Sequence, residues 1–81
     1  MSKRTDHDLI EDMLICISKI RQYSHGVSYE DFVNDFKTQD AIIRNFEIIG
    51  EASKLISPEL KNKYPSIPWK MIAGTRDRLI H

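Results

Sequence analysis

The 81-residue chain has a single thiol, Cys16, which excludes an internal disulfide and fits a reducing cytoplasm. It has no Cys/His cluster at zinc spacing, no glycine-rich phosphate loop, no carboxylate pair at metal spacing and no nucleophile-base motif. No metal or cofactor is therefore expected, and any phosphodiester chemistry here would have to run without a bound metal. Glycine and proline number three each, and they stand alone or at element ends rather than in a linker or low-complexity tract. No apolar run approaches the roughly 18 residues of a membrane span, and the opening Met-Ser-Lys-Arg-Thr-Asp-His-Asp has no signal-peptide core. The expectation is a soluble cytoplasmic protein with no membrane partner. Net charge is also missing, since twelve basic side chains meet twelve acidic ones. The balance is uneven along the chain: residues 1–40 hold five Lys/Arg and eight Asp/Glu, and residues 41–81 hold seven and four. A polyanion site in the second half and a pair of solvated faces both fit that asymmetry.

What is present reads as helix throughout, in one small all-α domain spanning residues 1–81, too short for a second core. Thr5 with Asp8 has the pattern of a capping box, and Leu9, Met13, Cys16, Ile17, Ile20 and Tyr23 recur at helical spacing until Gly26. This predicts a first helix over Asp6 to Ser24. Ser28 with Asp31 repeats the cap ahead of a short helix through Phe32, Val33 and Phe36, and Thr38 is expected to cap the next. That third helix carries Ala41, Ile42, Ile43, Phe46, Ile48, Ile49, Ala52, Leu55 and Ile56, whose positions sweep roughly 240° of the helix circumference. So wide an arc needs two partners, and a second subunit or complete burial within one subunit would each supply them. Ser57-Pro58 predicts a single turn to Leu60, Tyr64-Pro-Ser-Ile-Pro68 a stiff corner, and Pro68 the start of a last helix running to His81. Gly50 and Gly74 fall inside helices, where close packing would explain them. No Gly, Asn or Pro stands near His81 to stop the last helix, so the chain is expected to be cut in mid-element.

Two residues stand out chemically. On a helical wheel Arg76 lies near the middle of the apolar stripe of Trp69, Ile72, Ala73, Leu79 and Ile80, whereas Arg78 points the other way. An unpaired guanidinium in a core costs several kcal/mol, so Arg76 either meets a carboxylate, caps a helix end, snorkels, or faces a polar cleft or an anion such as phosphate. His81 follows five residues later, about 140° around and about 7.5 Å along a regular helix, so the two share a site only if the helix bends or ends near His81, long side chains converge on a groove, or two subunits contribute. Asn45 sits within the apolar arc, where it satisfies a backbone carbonyl or orients a catalytic group. Arg44, Glu47, Glu51 and Lys54 are spaced for exposed ion pairs. Met13, Cys16 and Met71 read as packing residues, and His7 and His25 as helix-end residues.

The stretch Ala41-Ile-Ile-Arg-Asn-Phe-Glu-Ile-Ile-Gly-Glu-Ala52 resembles the central helix of the HepT-like family of HEPN-type ribonucleases. The corner Lys63-Tyr-Pro-Ser-Ile-Pro-Trp69 and the run Ile72-Ala-Gly-Thr-Arg-Asp-Arg-Leu-Ile-His81 also resemble the family, in the same order. The resemblance implies a helical bundle that forms a homodimer and cuts RNA without metal in a cleft lined by the Arg and His of both subunits. Arg76 would then neutralise the scissile phosphate, and His81 would act as general acid or base. It further implies a toxin paired with a nucleotidyltransferase antitoxin, which modifies a tyrosine two residues beyond the motif histidine. The sequence ends at His81, before that tyrosine and before the family's C-terminal helix. The competing expectation is a noncatalytic helical dimer that binds the nucleotidyltransferase.

Overall fold

The structure, a computed structural model, describes residues 4–75. They form five helices: α1 (Asp6–Ser24), α2 (Tyr29–Val33), α3 (Phe36–Leu55), α4 (Pro58–Lys63) and α5 (Trp69–Ala73). Local side-chain chemistry starts most of them. The Thr5 hydroxyl accepts from the Asp8 N–H while the Asp8 carboxylate accepts from the Thr5 N–H, so both halves of the expected capping box are present. Gly26, at φ 71°, supplies the left-handed residue that turns the chain after α1. Ser28 caps α2 through the Asp31 N–H.

The start of α3 corrects the sequence reading. Asp35, not Thr38, is its N-cap: Asp35 accepts from the Thr38 N–H at 3.0 Å and from the Thr38 hydroxyl at 2.6 Å. A carboxylate takes two donors there and faces the positive end of the helix, so the earlier start is the better satisfied one. Likewise α4 runs to Lys63, beyond the single expected turn, with Ser57 and Pro58 as its cap and first residue.

Helices α1 and α3 pack along each other, and α5 and α2 join α3. The core between them is Leu9, Met13 and Cys16 of α1 with Ile49, Ala52 and Ile56, edged by Phe46, Leu60, Trp69 and Ile72. Cys16 is buried and free, and desolvation pushes its thiol above the ordinary range. The apolar arc of α3 is thus met within one chain on more than one side. Ile42, Ile49, Ala52 and Ser53 are buried, whereas Ile43, Phe46 and Ile48 are half-buried and Leu55 is exposed. The end of α5 packs closely over Gly50, where a Cβ would stand 3.4 Å from the Ala73 carbonyl oxygen and 3.5 Å from that of Ile72, in ordinary contact, so the approach does not demand a glycine. The expected close packing is real at this position. At Gly74 a Cβ would meet only carbonyls of its own helix, those of Lys70 and Met71, so packing between elements does not account for that glycine among the described residues.

One long-range tie closes the bundle. The Asp6 carboxylate accepts from the Ser57 N–H at 2.9 Å and from its hydroxyl at 2.5 Å, joining the start of α1 to the start of α4 across 51 residues. The Ser57 oxygen accepts in turn from the Leu60 N–H. No helix among the described residues is long and apolar enough to cross a membrane.

Candidate functional site

The segment leading into Arg76 is anchored by backbone acceptors. After α4 the Tyr64 carbonyl accepts from the Ile67 N–H at 3.2 Å and from the Trp69 indole N–H at 3.1 Å. The half-buried Trp69 thereby satisfies its indole N–H, and the bond folds the Tyr64–Pro68 corner back on itself. Trp69 and Ile72 then pack on the core, and the carbonyls of Ile72 and Ala73 rest on Gly50. Thr75, whose hydroxyl donates to the Met71 carbonyl at 3.2 Å, is the last described residue. The Arg-x4-His motif follows directly in the sequence, and both Arg76 and His81 lie outside the described residues.

The remaining candidates are described. Asn45 is 6% exposed and donates its amide N–H to the Ala41 carbonyl one turn back, at 2.8 Å. That is the structural option of the two, and no buried side-chain N or O atom among the described residues is left without a partner. Arg44 stands 3.9 Å from Glu47 and Lys54 stands 3.4 Å from Glu51, along the polar side of α3 as the spacing implied. The Lys54–Glu51 pair is exposed and contributes little to stability, whereas Glu47 is half-buried. Met13 and Cys16 are core residues, but Met71 is 53% exposed and does not serve as packing. His7 lies in the first turn of α1 with Glu11 at 3.5 Å, and His25 caps the other end of the same helix.

Carboxylates are tuned by caps and ties. Hydrogen bonds from the Ser57 hydroxyl and N–H hold Asp6 below the usual range, those from the Thr5 N–H and hydroxyl do so for Asp8, and those from Thr38 for Asp35. All three serve helix starts. Sequence reasoning missed the Asp6–Ser57 tie, which no local pattern signals, and the cap at Asp35, which the three-residue interval to Thr38 would have revealed.

The sequence model of the family described as ribonuclease HepT-like matches residues 13–81. The chain belongs to the HepT-like ribonuclease family. The match takes in α3, the corner, α5 and the whole Arg-x4-His motif. Among curated relatives, a protein of Thermococcus cleftensis named "Probable ribonuclease HepT" is 47% identical over 79 residues, covering 98% of this chain and 72% of that protein. Two others carry the name "Putative RNase". One, from Methanocaldococcus jannaschii, is 40% identical over 100% of this chain and 67% of its own length. The other, from Caldanaerobacter subterraneus, is 52% identical over 69% of this chain and 50% of its own. No solved structure gives a significant match.

Proposed function

We propose that this chain is a metal-independent endoribonuclease domain that acts as the toxin of a pair whose antitoxin is a nucleotidyltransferase. The observation that carries this reading is the family match running through Arg76 and His81. In the proposed reaction the ribose 2′-hydroxyl attacks the adjacent phosphorus and the bond to the 5′-oxygen breaks, leaving a 2′,3′-cyclic phosphate and a 5′-hydroxyl. Arg76 offers a planar fork for the phosphate oxygens as negative charge builds on them. His81 takes the proton from the 2′-oxygen or gives one to the leaving 5′-oxygen, a transfer suited to an imidazole titrating near neutrality.

The pair is assigned to a dimer cleft. Two copies contributing Arg76 and His81 each would relieve the separation of about 140° that a single regular helix imposes. Exposed Leu14, Ile15 and Ile17 and half-buried Ile43, Phe46 and Ile48 supply apolar surface for such an assembly. A reducing cytoplasm suits the free Cys16.

The test is incubation of the purified protein with RNA in excess EDTA, followed by analysis of the ends. Cleavage is expected, with cyclic phosphate termini and with no cutting of DNA of the same sequence, which lacks the 2′-hydroxyl. Absence of cleavage alongside stable binding of a nucleotidyltransferase would overturn the nuclease reading in favour of the noncatalytic dimer.

A further inference from the structure

From Arg4 to the end of α3, three cationic side chains are in ion pairs, Arg4 with Asp12, Arg44 with Glu47 and Lys54 with Glu51, and Lys19, Arg21 and Lys37 are in none among the described residues. The stretch from α4 to α5 is different. Residues 57–75 hold Lys61, Lys63 and Lys70 against one carboxylate, Glu59, and none of the three lysines has an ion-pair partner among the described residues. The Lys63 ammonium stands 5.9 Å from the centre of the Tyr64 ring. The Trp69 indole bond to the Tyr64 carbonyl ties the start of α5 to the Tyr64 backbone, and Lys70 follows Trp69 in sequence. Tyr64 is 48% exposed and Met71 53%. The structural duty of Tyr64 falls on its backbone carbonyl, so its ring is free of any role in closing the corner.

We propose that this corner is a binding surface for single-stranded RNA, with Lys63 and Lys70 on consecutive phosphates and the Tyr64 ring stacked on a base. The ligand's identity rests on the reading of the chain as an RNA-cutting domain. A cationic surface with an aromatic platform is the arrangement by which proteins hold single strands without reading sequence. Pro65 and Pro68 flank it and restrict its backbone, so little ordering is needed on binding. The surface also lies where a substrate track is needed, because α5 carries the chain from this corner to Thr75, the residue before Arg76. Favourable interaction with the helix dipole accounts for Lys61 and Lys63 in the last turn of α4. The same holds for Lys70 in the last turn of the five-residue α5, but it does not account for an exposed tyrosine whose hydroxyl meets no partner among the described residues.

The experiment is fluorescence anisotropy of the whole protein with a labelled 2′-O-methyl oligoribonucleotide, which lacks the attacking hydroxyl and stays intact. Tyr64→Leu should weaken binding about tenfold, the scale of one lost base stack, while Tyr64→Phe binds as the wild type does. The double variant Lys63→Ala, Lys70→Ala should lower the slope of log K against log salt by about 1.4, two phosphate contacts at ~0.7 each. Lys19→Ala, on α1, should change neither. Circular dichroism checks each fold, and because the corner bonds use backbone atoms these variants should keep them. The proposal is overturned if the wild type does not bind the oligonucleotide, if Tyr64→Leu binds like Tyr64→Phe, or if the salt slope is unchanged in the lysine variant. Cleavage of ordinary RNA is scored separately. Binding that depends on Tyr64 without cleavage sinks the nuclease reading and keeps this surface, and cleavage with unaltered binding in all variants does the reverse.

Discussion

Arg76 and Arg78 are the same side chain two positions apart, and a helical wheel sends them to opposite faces. The proposed chemistry gives them different work. Arg76→Ala and His81→Ala should each lower RNA cleavage about 100-fold or more, because each removes a group needed mainly in the transition state. Arg78→Ala should retain most activity. A gel assay in EDTA separates the outcomes, and an Arg76→Ala protein that cleaves normally, or that unfolds, would show the guanidinium to be structural. Gly50 poses a different residue-scale question. An alanine there places its Cβ 3.4 Å from the Ala73 oxygen, an ordinary contact, while a glycine removed from a helix interior gains about 1 kcal/mol. Gly50→Ala should therefore match or exceed the wild type in urea unfolding. Gly50→Val adds methyl groups with no room against the same carbonyls and should lose about 1–3 kcal/mol.

Helix starts show how much a sequence discloses when the chemistry is local. Thr5 with Asp8 and Ser28 with Asp31 sit three residues apart, and that interval alone located the beginnings of α1 and α2. Asp35 and Thr38 have the same interval, and choosing the second member displaced the start of α3. Ser57 was legible as a cap, but its partner Asp6 was not, since nothing in a window of sequence joins residues 51 apart. The double role has an energetic consequence. Ser57→Ala removes the cap of α4 and one bond of the Asp6 tie, so it should cost more in chemical denaturation than the roughly 1 kcal/mol typical of a single cap. Ser28→Ala, which loses one exposed cap, is the comparison, and equal losses would show the tie to be inert. Asp6, Asp8 and Asp35 all have pKa values depressed below 3.8 in the folded chain, so their contribution is present above the unfolded value and lost as pH falls through the folded ones. The temperature of thermal unfolding should drop as pH is taken below about 4, and Asp6→Asn should flatten that dependence.

At the scale of the whole molecule, shape bears on the assembly. The Cα radius of gyration is 14.2 Å with extents of 42 × 25 × 21 Å, against about 12 Å for a compact chain of this length. Among the described residues the elongation comes from two long helices, of 19 and 20 residues, lying along each other with short elements to cover them. The wide apolar arc of α3 was legible in the sequence, but its partners were not, because a wheel shows that a face is apolar without showing what lies on it. In the fold α1, α2 and α5 take much of that arc, and Ile43, Phe46 and Ile48 are left half-covered. Arg76 and His81 were legible from the wheel, their spacing and the family resemblance, and a second copy is one way to unite two groups that a regular helix would set about 140° apart. We therefore expect a homodimer that uses α3, measurable by light scattering at high micromolar concentration. Ile43 and Ile48 lie about 140° apart around α3, so Ile43→Glu and Ile48→Glu probe its two edges. The one at the interface should shift the mass toward a monomer and, because each site would lack half its groups, abolish cleavage while circular dichroism stays helical. A wild type that is monomeric at every concentration tested and still cleaves RNA would mean that α3 is satisfied within one subunit and that one copy of Arg76 and His81 suffices.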